Sequence, residues 1–229
     1  MLSIRKAAVS GTFYPSDPLI LRNTVQALFD KQTDGSLRQA QPKALIAPHA
    51  GFKYSGLSAA SAFRYLQSFR KNIKRVIVLG PSHHVSFEGL ATSSSDCFQT
   101  PLGNIAIDQS ANTKILALSQ VKQMDEAHRF EHSLEVELPF LQMMLSQFVL
   151  VPLVVGNATA QSVSEVLEEL WGGEDTLIVI SSDLSHYHDY STAQEFDNKT
   201  CKAIESLTGE LITQQGACGH NPIRGLLLS

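Results

Sequence analysis

Four short runs of uninterrupted apolar residues constrain the fold of this chain more than any other feature of its sequence. None of them shows the polar alternation of a strand that has one face in water. They are ALIA (44–47), VIVL (76–79), FVLVPLVV (148–155) and TLIVI (176–180). Strands that are apolar on both faces are typical of a sheet covered by helices on both sides, and such sheets pair largely in parallel.

Helical patterns occupy the segments between these runs. Asp17-Pro18 is a typical helix start, because aspartate caps the first turn and proline fits the first helical position. Further helical patterns cover 56–69, 132–148, 159–171 and 192–207. The segment FQTPLGNIAID (98–108) predicts a β-hairpin instead, since Pro101 and Gly103 separate two short extended stretches.

This alternation predicts an α/β fold with a central mixed, largely parallel sheet flanked by helices on both faces. The hairpin is the reason to expect a mixed sheet. The chain has 229 residues and contains neither a linker nor an internal repeat. Residues 1–229 are therefore predicted to form a single domain.

The net charge and the cysteine content limit the classes of partner. A formal charge of −4 gives no electrostatic attraction to nucleic acid or to an anionic membrane. No apolar run approaches the ~18 residues of a transmembrane helix, and the first residues lack the apolar segment of a signal peptide. The three scattered cysteines are typical of reduced thiols. We therefore expect a cytoplasmic protein without nucleic-acid or membrane partners.

Three of the four apolar runs end in histidine or in an acidic residue. The first run leads into PHAG, the second into GPSHH and the fourth into SSDLSH. In an open α/β sheet, ligands bind beyond the carboxyl ends of the strands. A single histidine after a strand is more often a loop residue bonded to the backbone, but three such strand ends favour a shared functional site. The side chains expected there are those of His49, His83, His84, Asp183 and His186.

Two further segments carry metal-ligand residue types. In AHRFEHSLEVEL (127–138), His128 and His132 are four residues apart, so on a helix they would share a face and could bind a metal. Solvated charges at a helix start would explain the same pattern. In GACGHNPIRG (216–225), Cys218 lies in a glycine-rich turn, where a thiolate can ligate a metal or act as a nucleophile. A small buried residue in a tight turn is the alternative.

Several well-known motifs are absent. The chain has no Gly-x-Ser-x-Gly, which disfavours a serine nucleophile on an α/β-hydrolase sheet. It also lacks the glycine-rich phosphate-binding patterns and any Cys-x-x-Cys pair. Nucleotide binding and dithiol redox chemistry therefore have no support in the sequence.

A series of motifs, taken in order along nearly the whole chain, resembles the Memo family. The bacterial and archaeal members of that family are named AmmeMemoRadiSam system protein B. The motifs are AVSGTFYP (8–15), APHAGF (47–52), LGPSHH (79–84), TPLG (100–103), EHSLEVELPF (131–140), SSDLSHY (181–187) and CGHNPI (218–223). Each motif alone is weak, whereas their order is specific.

The resemblance implies a fold similar to that of the class III extradiol ring-cleaving dioxygenases, which are non-haem iron enzymes. It implies a mononuclear metal site held by His49, His83 and Cys218. Iron is the metal implied first, and copper or zinc is an alternative because thiolate and imidazole ligands suit both. Asp183 and His186 would line the same pocket.

The resemblance also suggests roles for the remaining polar side chains. His186 is the expected general acid or base, with Asp183 orienting it or a bound water. His84 and His132 are expected to contact substrate or to support the ligands. Three protein ligands leave coordination positions open, which is typical of a reactive site. We expect redox chemistry on an unidentified small aromatic or polar molecule.

Two alternatives stay open at this point. The same residues could serve a metal-dependent hydrolase that activates water. The chain could also be a non-enzymatic module that recognises a peptide or a partner protein, and the family's name implies radical-SAM and AMMECR-type proteins as partners. Memo-like chains usually continue beyond the Cys-Gly motif and end in an extra strand. This chain stops at GLLLS, so we expect it to lack that strand and to expose a sheet edge.

Overall fold

A computed structural model describes residues 2–32 and 40–229. In these two ranges the strands are β1 (Ile4–Arg5), β2 (Ala44–Ala47), β3 (Arg75–Pro81), β4 (Leu90–Thr92), β5 (Cys97–Thr100), β6 (Gly103–Ala106), β7 (Val121–Gln123), β8 (Val149–Val155) and β9 (Thr176–Ser181). The α-helices are α1 (Pro18–Asp30), α2 (Phe52–Arg64), α3 (Gln109–Ile115), α4 (Asp125–Arg129), α5 (Leu138–Met144), α6 (Ala160–Leu170), α7 (Tyr190–Glu205) and α8 (His220–Leu228). Short 3₁₀ turns lie at Gln67–Phe69, Glu135–Glu137 and Gly209–Leu211.

The main sheet has six strands in the order β2-β9-β3-β8-β4-β7. The four apolar runs of the sequence form its first four strands, and these pair in parallel. At the centre, Val78 of β3 lies opposite Val179 of β9 and Pro152 of β8. Strands β4 and β8 pair antiparallel, while β4 and β7 are parallel. The predicted mixed, largely parallel sheet is therefore confirmed.

The predicted hairpin exists, but it is not the reason why the main sheet is mixed. Strands β5 and β6 pair antiparallel, and β5 also pairs in parallel with β1 to form a separate three-stranded sheet. The antiparallel partner within the main sheet is the short strand β4. The sequence reasoning was wrong on this point because a hairpin pattern does not reveal which strand its free edge will pair with.

Apolar cores lie on both faces of the main sheet, as the continuous apolar runs predict. Successive side chains of a strand point to opposite faces. Val76 and Val78 of β3 accordingly belong to one core, whereas Ile77 and Leu79 belong to the other. The first core includes residues of α1, α2 and α5, and the second includes residues of α3, α6, α7 and α8. The side chains of these four residues are fully buried.

The helix limits follow local chemistry. Helix α1 begins at Pro18 as expected, and the Asp17 side chain accepts hydrogen bonds from the amides of Leu19 and Ile20. The helix predicted over 132–148 is shorter, because α5 covers only Leu138–Met144. Pro139 lies in the first turn of α5 and lacks the amide proton that a continuous helix from residue 132 would need there. The longest helix within residues 2–32 and 40–229 has 16 residues, and no helix there combines the length and apolarity needed to span a membrane.

Candidate metal centre

The sheet order brings three of the predicted site residues to one edge. Strands β2, β9 and β3 are neighbours, and their carboxyl ends lead into His49, Asp183 and His83 respectively. Cys218 comes from the turn before α8. An isolated antiparallel bridge between Leu184 and Ala217 aligns this turn with the end of β9. Residues that are up to 169 positions apart in sequence thereby meet.

The Cys218 turn packs so closely against β9 that it requires a glycine. A Cβ atom added to Gly219 would lie 2.6 Å from the Cβ of Ser182 and 2.9 Å from the carbonyl oxygen of Ser181. The Gly219 amide donates to Ser182 Oγ at 2.9 Å. The Asp183 amide donates to the sulfur of Cys218 at 3.3 Å. These contacts fix the thiol at the end of β9.

His49 is buried and directs one ring nitrogen at this thiol. Its Nε2 atom lies 3.4 Å from Cys218 Sγ, and its Nδ1 atom lies 2.7 Å from Ser181 Oγ. Asp183 holds the backbone of the same loop, because its Oδ1 accepts from the amides of His49 and Ala50 at 2.8 and 3.1 Å. The other oxygen of Asp183 lies 3.8 Å from His49 Nε2.

His83 is oriented by a buried carboxylate. Glu131 Oε1 lies 2.8 Å from His83 Nδ1, and Glu131 Oε2 accepts from the His83 amide at 2.6 Å. Glu131 Oε1 also accepts from the amides of His132 and Ser133 at 3.0 and 2.9 Å. A carboxylate behind an imidazole is the usual support of a metal-ligating histidine.

The electrostatics of the cluster favour a thiolate. Burial alone would raise the pKa of Cys218, but hydrogen bonds with His49 and His83 outweigh burial and lower it to about 6. For His83, burial alone would lower the pKa, but hydrogen bonds with Cys218 and Glu131 reverse that effect and raise it to about 10. Burial raises the pKa of Glu131, yet its bonds with His83 bring it down to about 2.

His132 lies among the other two imidazoles rather than at a distance from them. Its ring stacks on His83 with 4.5 Å between centroids and lies 5.5 Å from the ring of His49. Phe13 covers it at 4.8 Å. Burial, together with the positive charge of neighbouring histidines, lowers the pKa of His132 to about 4. A neutral imidazole at this position can donate a lone pair.

Two groups of donor atoms in this cluster could hold a metal ion. One consists of His49, His83 and His132, and the other consists of His49, Asp183 and Cys218. Within each group the donor atoms lie within 4.8 Å of one another. The ligand set expected from the resemblance, His49 with His83 and Cys218, takes members from both groups and stays a prediction.

The other two predicted site residues, His84 and His186, are exposed. The ring of His186 is exposed; its Nδ1 lies 2.7 Å from the carbonyl oxygen of Leu184, and its edge meets Tyr187. His84 is exposed, with its ring 6.1 Å from that of His132. The acid–base role of His186 and the substrate contacts of His84 and His132 stay predictions.

The pair of histidines four residues apart does not form a shared site. Helix α4 ends at Arg129, so His128 and His132 do not lie on one helical face. His128 is buried, and its Nε2 lies 3.0 Å from the carbonyl oxygen of Ala91. The alternative of solvated charges is also wrong, because Glu131 and Glu135 are buried as well.

Sequence reasoning missed the residues that support the ligands. These are Glu131 behind His83, Ser181 behind His49, and Glu137, whose Oε1 lies 2.9 Å from Ser181 Oγ. The available signal was the segment EHSLEVELPF, in which glutamates alternate with apolar residues over a stretch that is otherwise suited to a core. Carboxylates within such a stretch are buried and need partners.

A cleft of about 440 Å³ opens beside the cluster. Its lining includes His83, His84, Phe87, Asn157 and Cys218. The other polar lining side chains are serine, glutamine, histidine and asparagine, and no lysine, arginine, aspartate or glutamate lines it among residues 2–32 and 40–229. The size is in the lower range of small-molecule sites.

The fold and the cluster define an α/β protein that gathers imidazoles, a thiol and a carboxylate, side chains that could hold a metal ion, at the carboxyl ends of parallel strands. The comparisons with known proteins are more specific. The family described as Memo-like protein matches residues 5–227 of this chain. The chain therefore belongs to the Memo family.

Curated relatives are similar over most of their length. A MEMO1 family protein of Aquifex aeolicus is 36% identical over 213 residues, which cover 91% of this chain and 77% of that protein. A MEMO1 family protein of Sulfolobus acidocaldarius is 33% identical, with 98% and 87% covered. One from Aeropyrum pernix is 35% identical, with 97% and 86% covered. The resemblance inferred from the motifs is confirmed.

Proposed function

We propose that the chain holds one transition-metal ion through His49, His83 and Cys218 and uses it for redox chemistry on a small uncharged molecule. The observation that carries this proposal is the position of the Cys218 sulfur, 3.4 Å from His49 Nε2. A thiolate and two imidazoles are the ligand types that iron, copper and zinc take in proteins.

The donor set fits such an ion because each imidazole has one nitrogen occupied and the other available. The Nδ1 atoms of His49 and His83 are bonded to Ser181 and Glu131, which leaves both Nε2 atoms as donors. The thiol is predisposed to lose its proton, since its pKa is lowered to about 6. Bound iron or copper would supply electron-transfer chemistry at this edge of the sheet.

The residues of the chain would prepare the site in three ways. Glu131 and Ser181 fix the orientation of the two imidazoles. Asp183 holds the loop that carries His49. The cleft beside His83 would bind the reacting molecule. Its described lining has no lysine, arginine, aspartate or glutamate to pair with a charged group on that molecule, which favours an uncharged polar compound.

Metal analysis of single variants tests the ligand set. We expect the wild type to bind one ion per chain and the variants His49→Ala, His83→Ala and Cys218→Ser to lose more than about tenfold in affinity, since outer-shell changes alone cost that much. Two matched controls lie outside the cluster. His188 and Cys201 are exposed, so His188→Ala and Cys201→Ser should bind metal as the wild type does.

The outcome of the variant series also separates the two donor groups. If His132→Ala abolishes binding while Cys218→Ser does not, the three-histidine group holds the ion and the proposed ligand set is wrong. Equal metal content in the wild type and His49→Ala would contradict both groups, because His49 belongs to each.

A second experiment addresses the reaction class. Iron(II)-loaded protein is given catechol as a probe while oxygen consumption is recorded, and 4-nitrophenyl acetate is offered in parallel. Oxygen consumption that disappears in Cys218→Ser supports redox chemistry. Ester cleavage without oxygen consumption would favour the hydrolase. Full metal occupancy with neither activity would contradict the redox proposal and favour a binding module.

A further inference from the structure

Ser181, at the end of β9, has three polar partners in the buried layer behind His49. Its Oγ lies 2.5 Å from the carbonyl oxygen of Ser133, 2.7 Å from His49 Nδ1 and 2.9 Å from Glu137 Oε1. Ser181 and Glu137 are completely buried. The hydrogen atoms that join these four groups can therefore be assigned by counting donors and acceptors.

The count leaves one arrangement. A serine hydroxyl has one hydrogen to donate, and a carbonyl oxygen can only accept. The hydrogen of Ser181 must point at Ser133, since otherwise two oxygens would lie 2.5 Å apart without a proton between them. Ser181 Oγ can then only accept from its other two neighbours. His49 Nδ1 and Glu137 Oε1 must both carry a proton.

We propose that Glu137 is a positioning residue that acts as a neutral carboxylic acid: it donates to Ser181, and through Ser181 it keeps a proton on Nδ1 of His49 so that Nε2 faces Cys218. An ionised Glu137 would demand the Ser181 hydrogen for itself. The carbonyl of Ser133 would then lose its donor, and His49 would face a hydroxyl free to adopt other orientations.

The surroundings of Glu137 agree with a neutral acid. Among residues 2–32 and 40–229, Glu137 has no salt-bridge partner and its second oxygen has no hydrogen-bond partner. Burial raises the pKa of Glu137 well above its usual value; the Ser181 hydrogen bond opposes this effect, and the charge of Asp183 adds to it. Glu135, two residues earlier and equally buried, differs because it forms a salt bridge with Arg5.

The consequence for the metal centre rests on the proposed function. The two imidazoles would have unlike supports, since His83 is backed by the ionised Glu131 and His49 by a hydroxyl and a neutral acid. A carboxylate makes the histidine in front of it a stronger donor. A neutral acid fixes the ring without adding negative charge to the site.

The protonation of Glu137 is tested by infrared spectroscopy of the metal-free protein at neutral pH. We expect the carbonyl stretch of a protonated carboxylic acid in the wild type and its loss in Glu137→Gln. The matched control is Glu135→Gln, which removes a second buried glutamate and should keep the band. A wild-type spectrum without the band, or a band that survives in Glu137→Gln, would overturn the proposal.

The positioning role is tested by rescue. The amide of Glu137→Gln can donate to Ser181 as the acid does, whereas Glu137→Leu cannot. We expect nitrogen-15 spectra of labelled histidine to show His49 protonated at Nδ1 in the wild type and in the Gln variant, and a mixture of tautomers in the Leu variant. Zinc affinity should change less than about threefold for Gln and fall about tenfold for Leu, the range of outer-shell changes.

Equal tautomer mixtures in the Gln and Leu variants would show that Glu137 does not act by donating, and a Leu variant identical to the wild type would show no positioning role. The nitrogen-15 measurement of the tautomer and the infrared measurement of the carboxyl band both use metal-free protein. Failure of the wild type to bind any metal would therefore contradict the proposed function and leave these readings intact.

Discussion

His128 is a buried imidazole whose neighbours hold it neutral. Its side chain is 1% exposed, its Nε2 lies 3.0 Å from the carbonyl oxygen of Ala91, and Arg5 lies close by. Burial, against the opposing effect of the Ala91 bond, lowers its pKa to about 4. The residue stabilises the fold in one protonation state only.

This makes stability depend on pH in a defined window. His128 takes up its proton near pH 6.5 in the unfolded chain and near pH 4 in the folded chain. The stabilisation is therefore complete above pH 6.5 and is lost as the pH falls towards 4. We expect the free energy of unfolding in urea to fall by about 1.4 kcal/mol per pH unit from this group.

The comparison variant is His128→Gln, which keeps a donor for the Ala91 carbonyl but does not titrate. Its stability should fall less steeply than that of the wild type between these two pH values. Parallel curves for the two proteins would show that His128 is not held neutral by the fold.

At the level of single residues, the sequence identified the histidines and Cys218 but not their supports. His49, His83 and Cys218 follow strand ends or a glycine-rich turn, which are local features. Glu131 lies 48 residues from its partner His83, and Ser181 lies 132 residues from His49. Pairings over such distances are created by the sheet order, which a pattern of apolar runs does not specify.

At the level of elements, the strands could be predicted and the loop before α5 could not. Strands β2, β3, β8 and β9 are apolar on both faces, and no competing local structure buries such runs as well. Apolar residues continue at helical spacing from His132 onward, but Pro139 has no amide proton and α5 begins only at Leu138. The spacing alone therefore does not fix where this helix begins.

The turn before α8 is the element on which the thiol depends. Replacing Gly219 by alanine places a Cβ 2.6 Å from that of Ser182, a separation that the backbone has to relieve by moving. We expect Gly219→Ala to destabilise the protein by about 1–3 kcal/mol in urea unfolding, as overpacking does, and to weaken metal binding. A control variant needs a glycine that tolerates an added Cβ. Gly103 has room for one, with nothing within 4 Å, but its positive φ of 125° would strain any other residue. Gly173→Ala is therefore the better control.

Gly173 meets only one atom, at 3.7 Å, in the same test and has no positive φ. Gly173→Ala should therefore leave both stability and metal binding unchanged. Unaltered metal affinity in Gly219→Ala would show that the position of the Cys218 turn does not matter for the site.

At the level of the whole molecule, a buried ion pair and the hydrogen bonds around it attach the N-terminal segment to the site. Arg5 forms a salt bridge with Glu135 and donates to the carbonyl oxygens of His128 and Glu131. Glu135 also accepts from the hydroxyl of Tyr14 at 2.5 Å. The loop that carries Glu131 and His132 is thus held by the first strand of the chain.

Removing one partner of this pair leaves a buried charge. We expect Arg5→Met to cost about 3–5 kcal/mol in denaturant unfolding, because an uncompensated buried carboxylate is strongly unfavourable. The pair Lys199–Glu195 is exposed, and Lys199→Met should produce no measurable change. A small effect of Arg5→Met would show that the N-terminal segment is not a structural support of the site.

The organisation into a single domain, the cytoplasmic location and the partner proteins implied by the family's name stay predictions. The central claim is narrower: His49, His83 and Cys218 share one ion. X-ray absorption spectroscopy of zinc-loaded protein tests it most directly. We expect one sulfur at about 2.3 Å together with imidazole nitrogens at about 2.0–2.1 Å, and loss of the sulfur signal in Cys218→Ser. A spectrum with nitrogen and oxygen ligands alone would contradict it and assign the ion to the three histidines.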